Sequence, residues 1–221
     1  PNEKKAAEDL VKYIAMMSGA TPTLADTPEA INAAMAGNAP VLVVGQQALQ
    51  AKPALNQKVQ GVLKKNPKLG ADGIGMLREG NKVYIAGNRD EAHYYAVAEL
   101  LHRWGCQWYL PTEFGECVPE EKTLKVGAID YAYGSPLEIR SYWISWMGDY
   151  EGKNDFQLRN FMQTGRSGMP PTGHGLAAYM MDAPGTVHAF KFRITAPETA
   201  VHIADKVNEK FAAGEDFSMG M

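Results

Sequence analysis

The 221-residue sequence is short of cysteine, of net charge and of long apolar runs, and each shortage closes a class of function. Two cysteines do not make a disulfide scaffold, and no second Cys pair or H-x3-H group accompanies them to build a zinc site. Lys and Arg number 22 against 25 Asp and Glu, a formal charge of −3, which gives no electrostatic reason to expect nucleic acid. No Lys/Arg block suggests an anionic membrane surface either. The longest apolar runs, such as "PVLVVG" at 40–45, are strand-length, so no membrane span is predicted. Walker A, G-x-S-x-G and HExxH sequences are absent. The glycines of "DGIGMLREGNKVYIAGN" do not follow the strand–GxGxxG–helix order, which removes the dinucleotide reading. No secretory signal is visible, since "PNEKKAAEDL" is polar from its first residue. The chain opens on Pro1 rather than Met, so its start says nothing about targeting.

What is present is an ordinary globular composition, 45% hydrophobic and 21% charged, with the punctuation of an α/β chain. Residues 3–17 place Ala6, Leu10, Tyr13, Ile14 and Met17 at helical spacing before Gly19. "TPEAINAAMAG" predicts a short helix with Thr27 as N-cap and Pro28 in its first turn. "APVLVVG" is a continuous β-branched run, read as a strand buried on both faces. "NQKVQGVLKKN" predicts another helix. "GIGMLREG" and "KVYIAGN" predict strands joined through "EGNK" as a hairpin. A helix over 89–104 follows, with Ala92, Ala96, Leu100 and Trp104 on one face, and "CQWYL" resumes as a strand. This order favours a layered α/β domain. Because an α/β unit that opens on a helix lacks its entry strand, the pattern also predicts a strand before Pro1.

Composition changes across 119–136, a short strand and then a Gly/Ser/Pro-rich connection, read as a domain boundary. "PLEIRSYW" is strand-like and 153–163 helical. The glycine-rich "GRSGMPPTGHG" comes next. An amphipathic helix follows Pro197, with Val201, Ala204, Val207 and Phe211 on one side, and "DFSMGM" closes as a strand. The second region has too few strands for a closed sheet of its own.

Glycoside cleavage needs two carboxyls facing each other roughly 5–10 Å apart, and no Asp/Glu pair here is recommended by its setting. Glu3, Glu8 and Asp9 fall on helical faces and read as solvated. Asp149 and Glu151 follow "SYWISWMGDYEG" and read as loop surface or cleft lining. His174, between Gly173 and Gly175, sits on backbone that can approach a ligand closely; the alternative is an exposed ring. His93 and His102 read as surface or satisfied core groups, and His188 and His202 lack metal spacing. Arg140 ends the strand-like run and precedes Tyr142, Trp143 and Trp146. A guanidinium suits two adjacent sugar hydroxyls or a carboxylate, and aromatic faces suit the apolar face of a pyranose. The alternative is an interface Arg beside core tryptophans. Cys106 and Cys117 flank a predicted turn, either as a disulfide worth roughly 3 kcal/mol on the chain-entropy model or as two inert buried thiols.

The succession "AAEDLVKYIAMMSGA", "PVLVVG" and "DGIGMLREGNKVYIAGNRDEAHYYAVAELLHRWGCQWYLPTEFGECVPEEKTLKV" resembles the N-terminal α/β domain that precedes the barrel of family 20 β-hexosaminidases and family 67 α-glucuronidases. The nearest resemblance is to bacterial glycoside hydrolase-like proteins with the domain of unknown function DUF4838. It covers residues 3–126. It implies a mixed-sheet α/β accessory domain at 1–126, a linker at 127–135, and at 136–221 the first units of an incomplete (β/α)8 barrel. Such a barrel normally needs about 250 residues, so the family's acidic strands have no counterpart here. The chain then reads as a fragment, inactive alone, of a secreted, extracellular or periplasmic protein that hydrolyses glycosidic bonds without metal or organic cofactor. The resemblance makes Arg140, Trp143 and His174 contacts to a carbohydrate substrate at the barrel mouth and leaves the catalytic residues unassigned. The open barrel edge would be covered by further C-terminal chain or by a protein partner. The alternative is a non-catalytic extracellular carbohydrate-binding or structural protein on the same domains. In either case the 99–119 corner is expected to pack through Trp104, Trp108 and Tyr109.

Overall fold

A computed structural model describes residues 1–141, 152–164, 179, 183–185, 193 and 195–215. The chain divides into two compact units, Pro1–Arg166 and Ser167–Met221. The first is a mixed α/β layer structure. Helix α1 (Asn2–Ser18) leads through α2 (Pro28–Ala36) to strand β1 (Val41–Val44). Two short helices, α3 (Gln46–Ala51) and α4 (Pro53–Gly61), precede the hairpin of β2 (Gly73–Glu79) and β3 (Lys82–Gly87). Helix α5 (Asp90–Arg103), the ribbon strands β4 (Gln107–Trp108) and β5 (Glu116–Cys117), β6 (Asp130–Gly134) and α6 (Lys153–Arg159) complete it.

The main sheet runs β1-β3-β2-β6, with β1 parallel to β3 and the other pairs antiparallel. Side-chain alternation gives each face its own core. Ile74, Met76, Val83 and Ile85 face the layer of α1 and α5, where Leu10, Tyr13, Tyr94 and Leu100 are buried. Val43, Tyr84 and Ala86 face Ala48, Leu55 and Val59 of α3 and α4. Gly75 explains part of the "GIG" signal: a Cβ there would meet Leu55 and Val59 at 2.8 Å. The glycine thus serves close helix–sheet packing rather than a phosphate. Thr27 caps α2 as its position predicts, accepting from the Ala30 N–H at 3.2 Å.

Strand β1 stands at the edge of the described sheet, paired with β3, yet both its faces are covered as the β-branched run predicts: Leu42 and Val44 pack against the core on one side and Val43 lies in the core on the other. Several expectations give way to the sheet. The stretch read as a linker, 127–135, contains β6, which extends the sheet beyond β2. Nothing in "DYAYG" alone demands a strand; the exposed backbone of β2 supplies the reason. Among its described residues, 136–141, the strand-like "PLEIRSYW" forms no strand. The first unit also continues through α6, whose Leu158 is buried in the main core, so the described residues 136–141 and 152–164 fall in the same compact unit as the sheet. Of "CQWYL", only Gln107 and Trp108 pair, in a two-stranded ribbon with β5.

In the second unit the described core element is α7 (Pro197–Ala212), the helix expected after Pro197. Thr199 is buried at its start, whereas Val201 and Phe211 on its apolar side are exposed. The glycine-rich segment 165–175 and "DFSMGM" at 216–221 lie outside the described residues.

Candidate functional site

The hairpin and α5 bring charged side chains together at one end of the sheet. Asp72 immediately precedes β2, and Arg89 lies two residues past the end of β3, immediately before α5. Asn88 locks these two chain ends: its side chain accepts from the Gly73 N–H and donates to the Ala71 carbonyl, both at 2.9 Å. Asp72 is buried and holds two guanidinium groups, Nε of Arg89 on one carboxylate oxygen and Nη2 of Arg140 on the other. Burial works against its charge, yet the two arginines outweigh it and hold the carboxyl below its ordinary range.

Arg140, a predicted sugar contact, is therefore committed elsewhere. Its Nε donates to the Phe161 carbonyl at 2.6 Å and its Nη1 to the Leu137 carbonyl at 2.8 Å, and its guanidinium lies 5.4 Å from the centre of the Tyr95 ring. Its backbone exchanges bonds with Gln163, N–H to Oε1 at 2.6 Å and carbonyl from N–H at 2.9 Å. Beside it, Glu91 accepts from the Thr164 hydroxyl at 2.7 Å, and Tyr95 donates its hydroxyl hydrogen to the Met162 carbonyl at 2.9 Å. Two arginines and two carboxylates balance, and Arg140 is 15% exposed. The geometry makes a clasp that fastens 136–141 and 161–164 onto the sheet. Trp143, His174, Asp149 and Glu151 lie outside the described residues.

A second polar group is threaded through the core. Asp9, expected on a solvated helix face, is buried and accepts from Tyr94 and from Arg159 Nη2. Arg159 lies over the rings of Tyr13 and Trp108, at 5.3 and 5.6 Å. Trp108 donates its indole hydrogen to the Tyr13 hydroxyl at 3.0 Å. The corner thus packs through Trp108, with Trp104 half-buried against it. Tyr109 departs from expectation, being 67% exposed.

The cysteines form no disulfide, and of the alternative, two buried thiols, only Cys106 conforms. Both are free, Cys106 buried and Cys117 exposed. Cys117 sits opposite Gln107 in the ribbon, so alternation sends Cys106 and Trp108 inward and Gln107 and Cys117 outward. Opposite faces preclude a bridge. Cys106 contacts the Met17 sulfur at 3.7 Å, and burial pushes its thiol up to about 11.

His93 is a satisfied core group: its Nδ1 accepts from the Gly87 N–H at 3.0 Å, and Nε2 meets the Gln46 amide at 3.3 Å. Among the described residues no group of three or more His, Cys, Asp or Glu is arranged to hold a metal, and no helix is long and apolar enough to cross a membrane. Comparison with known proteins finds no matching family model, no matching curated protein and no matching solved structure.

Proposed function

We propose that this chain is the accessory α/β domain and opening barrel segment of a secreted, glycoside hydrolase-like protein that cleaves glycosidic bonds in polysaccharides or glycans. The reading is carried by one unit, the hairpin, α5 and the Trp108 corner. The residues of that unit bear the resemblance to the DUF4838, β-hexosaminidase and α-glucuronidase domains, and the rest of the first compact unit is assembled around it. In this reading the chain beyond the first compact unit begins a (β/α)8 barrel, and hydrolysis is acid–base chemistry by carboxyls from strands outside this chain. Arg140 is then a positioning residue: by fixing residues 136–141 to Asp72 it sets where the aromatic stretch holding Trp143 begins. Trp143 and His174 keep their proposed role as sugar contacts.

The test is an assay of the intact natural protein and of the 221-residue chain on aryl β-hexosaminides, aryl α-glucuronides and polysaccharides of several backbones. Turnover by the intact protein and none by the chain is the expected result. Turnover by the chain alone overturns the division of labour. Binding without turnover by the intact protein selects the non-catalytic carbohydrate-binding alternative.

A further inference from the structure

The loop between β4 and β5 displays aromatic side chains where a soluble surface ordinarily hides them. Scattered exposed apolar residues are normal, but here three large ones fall within six positions: Tyr109 is 67% exposed, Leu110 48% and Phe114 90%. Their display is not a loose end. The Tyr109 N–H donates to the Gly115 carbonyl at 2.8 Å, closing the loop at its base, and the Gly115 N–H donates to Thr112 at 2.9 Å within the 3-10 turn Glu113–Gly115. Gly115 has no room for a side chain, since a Cβ would lie 2.4 Å from the Leu110 backbone nitrogen. Below the loop, Trp108 is anchored in the core, and the Asn160 side chain donates to its carbonyl at 3.2 Å. Ribbon alternation turns Tyr109 outward as Trp108 turns inward, and Phe114 adjoins Tyr109's backbone partner.

We propose that Tyr109 and Phe114 form a carbohydrate-stacking platform, a subsite for a pyranose unit of a polysaccharide away from Arg140. This rests on the carbohydrate-active reading above and adds to it a binding locus on the accessory domain. Size favours the assignment. Two aromatic rings and one Leu offer on the order of 300–400 Å², well below the roughly 800 Å² per partner of a stable protein interface. That area matches one or two sugar faces. The loop backbone beneath the rings is fixed by the Tyr109–Gly115 bond and the close approach of Gly115 to Leu110, which limits what binding must order. The exposed Thr112 and Glu113 on the same turn offer a hydroxyl and a carboxylate to equatorial hydroxyls at the platform's edge.

The experiment is affinity gel electrophoresis of the 221-residue chain through gels containing soluble arabinoxylan, mixed-linkage β-glucan, chitosan or pectin. Wild type, Tyr109→Ala, Phe114→Ala and the ring-preserving Phe114→Tyr are compared, with thermal melts of each. Retardation of the wild type in at least one gel is expected, weakened about tenfold in affinity by either alanine change and kept by Phe114→Tyr at unchanged melting temperature, the scale of one stacked ring. No retardation in any gel overturns the platform, and so does retardation indifferent to both alanine changes. If an alanine change lowers the melting temperature by several degrees, the rings serve packing and the platform also falls. The glycoside assay of the intact protein separates the two readings: turnover there with a failed platform removes only the platform.

Discussion

Arg159 donates to a carboxylate 150 residues upstream, that of Asp9, at 3.2 Å, with both side chains nearly closed to solvent at 12% and 10% exposure. The last helix of the first unit is thereby tied to the first. Removing one member of such a pair leaves the other charged and buried. Arg159→Ala should therefore destabilise the chain by about 3–5 kcal/mol, whereas Asp9→Asn combined with Arg159→Met should cost clearly less than the sum of the two single changes. Urea unfolding of the four proteins measures the coupling. Additive losses would mean that the two groups do not interact.

Asp72 should govern acid stability. Its folded carboxyl lies below the ordinary 3.8, so near that pH the unfolded chain binds a proton that the folded chain refuses. The contribution is complete above about pH 4 and is lost as pH falls through the folded value. Asp72→Asn should lower stability at pH 7 and flatten the decline below pH 4. Hydrogen exchange should show faster opening at 137–141 and 161–164 in the variant. Unchanged exchange there would refute the clasp.

His93 supplies a separate window. Burial holds its folded value below 6.5, with Glu3 and Asp90 pulling the other way. Its proton-free Nδ1 receives the Gly87 N–H. Below pH 6.5 the unfolded chain takes up a proton first, so stability contributed by the neutral ring falls as pH drops through that region. His93→Gln should remove the slope that sets in below pH 6.5 in denaturation experiments, while leaving the Asp72 slope below pH 4.

The thiols should behave unequally. In native buffer one equivalent of a thiol-specific reagent should react quickly, at exposed Cys117, with Cys106 protected until denaturant is added. Two slow equivalents, or an intact mass two hydrogens short, would contradict the arrangement of the ribbon.

Much of the framework was readable from local pattern. The apolar spacing of α1 and α5, the Thr27-Pro28 start of α2 and the turn residues between β2 and β3 are signals carried by neighbouring positions, and the elements stand where those signals put them. What escaped depends on partners far along the chain. Asp9 looks like any acid on a polar helix face until Tyr94 and Arg159, 85 and 150 residues away, are placed against it. Strand β6 exists because β2 has an open side. Arg140 was singled out for the right chemical reason, a planar fork with donors to spend, but Asp72, the group that spends them, stood unnoticed in front of a glycine-rich strand. Its adjacency to the Asn88-Arg89 turn was the available clue, legible once the hairpin register is known. Tyr109 was misplaced because the alternation that exposes it begins with Trp108, and a two-residue strand gives alternation little sequence to announce itself.

The position of β6 bears on how this polypeptide can be cut into parts. A break near residue 126, inviting on composition, would strip β2 of a neighbour paired along Gly73–Leu77 and bare a row of amides and carbonyls ready to recruit another molecule. A piece extending past residue 164 keeps that border sealed and retains the buried ion pair to α6. Shorter versions should aggregate, and their insolubility would reflect the missing border rather than any failure of the remaining polypeptide to fold.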